Sequence, residues 1–179
     1  FSRPTGMLEV DAAKDWMREM GPWLTYVNLY FQGEPLLHPK LEGLLEACQT
    51  HGLYSSTSTN AHHLTPSRCD ALSEAGLNRL IISIDGLTQA TYASYRIGGQ
   101  LNKVLQGTRN MVEAKRKRGK GPHLVWQFLV VGPNEHEVPE VLQEARAQGV
   151  DEVVIKTAQL DDPQDGHPLL TTQPQHRRY

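Results

Sequence analysis

The chain contains only two cysteines, Cys48 and Cys69, among 179 residues. Their spacing matches no metal-ligand pattern, so this sequence does not supply a cysteine-ligated metal site of its own. Two free thiols in a reducing cytoplasm are the expected state, with one disulfide as the alternative. No stretch approaches the roughly 20 apolar residues that a membrane span requires. No signal peptide opens the chain. Neither sign of charge dominates: the net charge is −2, so no strong field selects nucleic acid or an acidic membrane surface. What remains is ordinary, with 39% hydrophobic and 21% charged residues, the composition of a globular domain that buries a proper core. The chain begins at Phe1 and stops in polar sequence at Arg177-Arg178-Tyr179, and is expected to be part of something longer.

The segment from Tyr26 to Pro39 opens as a strand. Val27, Leu29 and Phe31 alternate with Asn28, Tyr30 and Gln32. Pro35 lacks an N–H and ends the strand after Gly33-Glu34. Glu34 then stands at the C-terminal tip, where a carboxylate can receive an ammonium group. A plain Gly-Pro turn with a solvated Glu34 is the competing reading. Ahead of this strand, Leu8, Ala12, Trp16 and Met20 predict the core face of a helix, stopped by Gly21-Pro22.

Beyond it, helices are expected over 40–51, 67–75, 88–95, 101–118 and 138–148. Strands are expected over 53–59, 77–84, 123–131 and 150–156. Residues 161–179, rich in Pro, Gln, Asp and His, read as linker or tail, leaving 1–160 as the domain. Strand-helix alternation implies right-handed crossovers and a parallel sheet. An open doubly wound sheet and an arc of a β/α barrel both satisfy it. Gln32 and Glu34, Thr59 and Asn60, Ser83 and Asp85, Asn134, and Lys156 fall at or just past strand ends. Polar groups on every strand end imply one common mouth, which favours the partial (β/α) barrel, an α/β fold with a curved parallel sheet.

Ser83 and Asp85 are two apart and point the same way from one strand, equipment suited to a ribose diol. A turn at Asp85-Gly86 with a small core serine explains them equally well. Arg96, in the loop Arg96-Ile97-Gly98-Gly99, can clamp a carboxylate or simply be solvated. Together with Glu34 these residues describe a site for an amino acid joined to a nucleoside, which is S-adenosylmethionine (SAM).

Gln-Gly-Glu-Pro at 32–35, Thr-Asn-Ala at 59–61, Ser-Ile-Asp-Gly at 83–86 and Tyr-Arg-Ile-Gly-Gly at 95–99 resemble the radical SAM superfamily. They look most like members with a SPASM-type auxiliary-cluster domain. The resemblance implies about five strands of a (β/α)6 core. It further implies an iron–sulfur oxidoreductase that cleaves SAM reductively and abstracts hydrogen from a peptide or protein, with an external electron donor. Its cofactor-binding residues would be Gln32, Gly33, Glu34, Pro35, Asn60, Ser83, Asp85, Arg96 and Val131. Gly33 and Glu34 would hold the SAM amino group, Ser83 and Asp85 the ribose, Arg96 the carboxylate, and Val131 would lie near the adenine. Two features depart from the pattern. Gln32 replaces the first glycine of the usual motif, and the Cys-x3-Cys-x2-Cys loop that binds the [4Fe-4S] cluster is absent, its ligands being expected upstream of Phe1. The chain alone is therefore expected to be inactive. The rivals are a Schiff-base or sugar-phosphate β/α-barrel enzyme using Lys156, and a degenerate barrel that binds a nucleoside without catalysis.

Other features read more plainly. The run Lys115 to Lys120 is a basic helix end favoured by the helix dipole, rather than a nucleic-acid patch. His62 and His63 read as surface, and His38 as fixing a turn between prolines. Trp16, Trp23 and Trp126 read as core or interface.

Overall fold

A computed structural model describes residues 6–160 and 166–178. Helix α1 (Val10–Met20) leads into β1 (Tyr26–Asn28), then α2 (Leu41–Thr50), β2 (Tyr54–Thr59), α3 (Pro66–Glu74) and β3 (Arg79–Ser83). The chain continues through α4 (Gln89–Tyr95), α5 (Leu101–Arg118), β4 (His123–Val130), α6 (Val138–Gln148) and β5 (Glu152–Thr157). The five strands are all parallel and lie in the order β1-β2-β3-β4-β5. Sequential order without a reversal point is the arc of a barrel and excludes the doubly wound sheet.

Register divides the sheet into two faces. Thr57 aligns with Leu80, Leu80 with Leu124, and Trp126 with Val153. These residues point toward the helices, where Leu80, Ile82, Leu124, Trp126, Phe128 and Val130 form the main core. Trp126 is fully buried, and its indole nitrogen donates to Thr108 Oγ1 at 3.1 Å, so its polar edge costs nothing in burial. The opposite, concave face carries Asn28, Ser56, Ser58, Ile81, Ser83, Val125, Gln127 and Lys156 by the same register.

Helix ends follow local chemistry. Thr65 Oγ1 accepts from Arg68 N ahead of Pro66, and Thr88 and Thr91 form a reciprocal capping box on α4. The basic end of α5 is engaged in ion pairs: Lys115 with Asp151, Arg116 and Lys117 with Glu113, and Arg118 with Asp70 and Glu74.

Three elements differ from the sequence reading. First, β1 ends at Asn28 instead of running to Gln32. Leu29 N still donates to Ser56 O at 2.8 Å, but Phe31 is 86% exposed. This strand is bonded on one side only, and Gly33, at φ +80°, turns the chain away. Second, α1 buries Ala13 and Met17, not the stripe Leu8, Ala12, Trp16 and Met20. Leu8, Trp16 and Met20 instead line an apolar groove of about 530 Å³ beside β1. Trp16 and Trp23 are accordingly exposed, and only Trp126 is core. Third, the described part of the tail is packed. Glu135 accepts hydrogen bonds from the hydroxyls of Thr171 and Thr172 and from Thr172 N at 2.7 Å. Gly132 N donates to Leu169 O at 3.2 Å. Residues 166–178 thus form a strap against the turn between β4 and α6.

Candidate cofactor site

The strand ends bring most of the motif residues to one rim. Glu34 follows β1 and opens the 3-10 turn Pro35–Leu37. Its Oε1 accepts from Leu36 N at 3.0 Å and from Thr59 Oγ1 at 2.8 Å, and its Oε2 accepts from Asn60 N at 2.8 Å. The carboxylate is therefore fixed by the end of β2, and it retains lone pairs for an incoming cation. Gln32 and Gly33 are exposed beside it. Asn60 Oδ1 accepts from His62 N at 3.0 Å, and Ala61 takes a left-handed φ of +63°. His62 Nε2 accepts from Gln100 N at 3.1 Å, joining this loop to the start of α5. That bridge was not legible from an adjacent histidine pair.

The second half of the rim lies on β3 and β4. Asp85 is 1% exposed. Its Oδ2 accepts from Arg96 Nε at 2.5 Å and its Oδ1 from Leu129 N at 2.8 Å. Gly86 follows because a Cβ there would sit 2.3 Å from Tyr92 N. Asn134 is fully buried: its Nδ2 donates to Asp85 O at 3.0 Å and to Leu129 O at 2.9 Å, and its Oδ1 accepts from Val131 N at 2.8 Å. Glu137, also buried, accepts from Leu87 N at 2.8 Å and Thr91 Oγ1 at 2.7 Å. Asn134 and Glu137 hold the rim together. The sequence flagged Asn134 only as a strand-end polar group, and gave no sign of Glu137.

Ser83 lies on β3 at 8% exposure, and its hydroxyl has no partner among the described residues. Arg96 is one-third exposed; it donates Nε to Asp85 and packs 5.5 Å from the Tyr95 ring centre. Its terminal nitrogens have no partner among the described residues. Both oxygens of Asp85, expected at the ribose, are engaged within the protein. A sealed carboxylate with both oxygens engaged orients Arg96 and ties β3 to β4.

The two cysteines do not fit a cluster. Both are free and fully buried. Burial, reinforced by the charge of Asp70, pushes the Cys69 thiol up to about 12, and burial also raises Cys48. Among the described residues, no group of three or more His, Cys, Asp or Glu is placed to hold a metal ion. No helix among them is long and apolar enough to cross a membrane.

A family model described as the Radical SAM superfamily matches residues 1–145. The chain belongs to the radical SAM superfamily. S-adenosylmethionine and a [4Fe-4S] cluster are the cofactors of that superfamily, and its members are enzymes. GTP 3',8-cyclase of Hydrogenovibrio crunogenus is 34% identical over 132 residues, covering 73% of this chain and 38% of the relative. PqqA peptide cyclase of Gluconobacter oxydans is 30% identical over 144 residues, covering 79% of this chain and 38% of the relative. In fold, the chain resembles Streptococcus suis SuiB bound to S-adenosylmethionine, with a TM-score of 0.72 at 13% identity, over 96% of this chain and 38% of SuiB. This radical SAM chain spans about two fifths of the length of these relatives.

Proposed function

We propose that the chain forms the SAM-binding rim of a radical SAM enzyme acting on a peptide or protein. The observation that carries this is that Glu34 after β1, Ser83 at the end of β3 and Val131 after β4 lie at C-terminal strand ends of one sheet, with Arg96 joined to the end of β3 through Asp85. In this reading Gly33 and Glu34 receive the ammonium group of SAM, with Gln32, Pro35 and Asn60 shaping the loop around it. A carboxylate already fixed by three donors needs no reordering to accept a fourth. The open hydroxyl of Ser83 meets the ribose. Arg96, held at Nε by Asp85, presents its terminal nitrogens to the SAM carboxylate. Val131, anchored by Asn134, borders the adenine. The similarity to a peptide cyclase supports a peptide substrate. The cysteines present do not ligate the [4Fe-4S] cluster, so no step through it is assigned to these residues. The two unpaired thiols support a reducing, cytoplasmic setting.

The test is a titration of this chain with S-adenosylhomocysteine, followed by amide NMR shifts. Two or three charged or hydroxyl contacts in an open cleft give affinity on the order of millimolar. Shifts should concentrate at Glu34, Ser83, Arg96 and Val131, and Arg96→Ala should weaken binding about tenfold. Shifts spread over the helices, with none at the rim, would overturn the assignment.

A further inference from the structure

Glu34 is fixed from two directions. Its Oε2 accepts from Asn60 N beyond β2, and its Oε1 accepts from Leu36 N inside the turn Pro35–Leu37. Where the carboxylate sits therefore depends on where the Leu36 peptide sits. The backbone bonds of this stretch are local. Leu37 N donates to Glu34 O at 3.1 Å and His38 N to Pro35 O at 2.9 Å. A single 3-10 turn of this kind leaves its last carbonyls without partners of their own.

Arg68, in the first turn of α3, supplies them. Its Nη2 donates to His38 O at 3.0 Å and lies 3.5 Å from Leu36 O. Its Nη1 pairs with Glu42 Oε1 at 2.5 Å, in the first turn of α2. The Leu36 peptide is thus held at both ends, its N–H by Glu34 and its carbonyl by Arg68, while its side chain is buried in the core. The turn, α2 and α3 meet on one guanidinium.

This arrangement has a cost. Arg68 Nε is buried and has no hydrogen-bond partner among the described residues. A buried donor left unbonded lowers stability. An apolar side chain of similar length often stabilises a half-enclosed position as well as an ion pair does. What it cannot do is hold two carbonyls at set positions. We propose that Arg68, held by Glu42, is a positioning residue of the rim: it sets the Leu36 peptide and through it aims Glu34 at the ammonium group of the cofactor. The proposal rests on the SAM-binding reading of the rim. Lysine is a poor substitute, because a single ammonium lacks the planar fork that reaches a carboxylate and the turn carbonyls together.

The experiment compares S-adenosylhomocysteine with its deaminated analogue, in which hydrogen replaces the ammonium group. Both are titrated into the native chain and into Arg68→Met, Arg68→Lys, Glu42→Gln and Arg118→Met, read by amide NMR shifts. Arg118→Met is the control, since it removes the ion pairs of the same helix to Asp70 and Glu74 and leaves the turn alone. The native chain and the control should prefer S-adenosylhomocysteine by about fivefold. In Arg68→Met and Glu42→Gln the preference should fall below about twofold, with affinity for the deaminated analogue unchanged. Arg68→Lys should fall between. Glu42→Gln preserves the shape of the pair and carries the test if Arg68→Met fails to fold. Amide exchange without ligand gives a second readout. The Asn60 N–H, which donates to Glu34, should exchange at least about fivefold faster in Arg68→Met and Glu42→Gln and not in the control. A preference that survives both substitutions, equal weakening of the two ligands, the same loss in Arg118→Met, or unaltered Asn60 exchange would each overturn the proposal. A native chain with no shifts at Ser83 and Arg96 is a failure of the rim reading instead, and Asn60 exchange then still decides whether Arg68 places Glu34.

Discussion

Asp85 and Cys69 show how burial decides what a reactive side chain does. Asp85 accepts from a guanidinium and a backbone amide while almost fully enclosed. Removing one partner of such a buried charged pair costs about 3–5 kcal/mol. Arg96 is one-third exposed, so water compensates part of the loss and the cost falls toward or below the lower end of that range. We expect Asp85→Ala to lower chemical-denaturation stability by about 2–3 kcal/mol and to weaken S-adenosylhomocysteine through a misplaced Arg96. Unchanged stability would mean the pair is not formed in solution. Cys69 illustrates the opposite case, a nucleophile silenced. A thiol near 12 is ionised in about one molecule in ten thousand at pH 8, and it is also enclosed. Native protein should therefore resist a thiol reagent such as Ellman's, and both cysteines should react once denatured. Rapid labelling of the native chain would contradict the burial of both thiols.

At the scale of elements, the strap and the first strand behave differently. The strap is tied to Glu135. Burial raises the Glu135 carboxyl, but donors from Thr171, Thr172 and Gln173 outweigh it and hold the group below the ordinary value. A depressed carboxyl contributes stability that is present above its unfolded value, about 4.3, and is lost as pH falls through the folded value. We expect the strap to loosen below about pH 4, seen as increased exchange of the Thr172 amide, and Glu135→Gln to remove that dependence. The first strand is open along one edge. The groove beside it exposes Met7, Leu8, Trp16 and Phe31. An apolar edge of this kind invites pairing. Light scattering should show concentration-dependent association of this chain, reduced by Trp16→Ser with Phe31→Ser; a monomer at millimolar concentration would count against it. Cover of this edge by residues 1–5 lies outside the described residues, although Gly6 to Leu8 do line the groove. The sequence placed this strand and its Gly-Glu-Pro stop, because both signals are local. It overestimated the strand's length because alternation does not reveal that a neighbour is missing. It also chose the wrong stripe of α1, since that helix carries apolar residues on two faces and only tertiary contact decides which is buried.

For the whole molecule, alternation and strand-end polarity were enough to read the sheet order, because each strand pairs with the next in sequence. Most rim residues were legible as short motifs. Their connections were not: Glu34 to Thr59, Asp85 to Arg96 and Leu129, and Asn134 across two strands join residues up to 49 positions apart. The two-sided character of β2 was also hidden, since a run of serines and threonines looks alike on both faces until register separates them. The same nearest-neighbour order has a kinetic consequence. Each strand–helix–strand unit closes on the one before it, so loop closures stay short and assembly can advance along the chain without waiting for a distant end. Cooperativity should then be weakest at the two margins. In native-state hydrogen exchange, β1 and β5 should open at low free energy while β3 and β4 exchange only with global unfolding. The sheet should therefore melt inward from its edges, and the buried fluorescence of Trp126 should persist until the molecule unfolds globally.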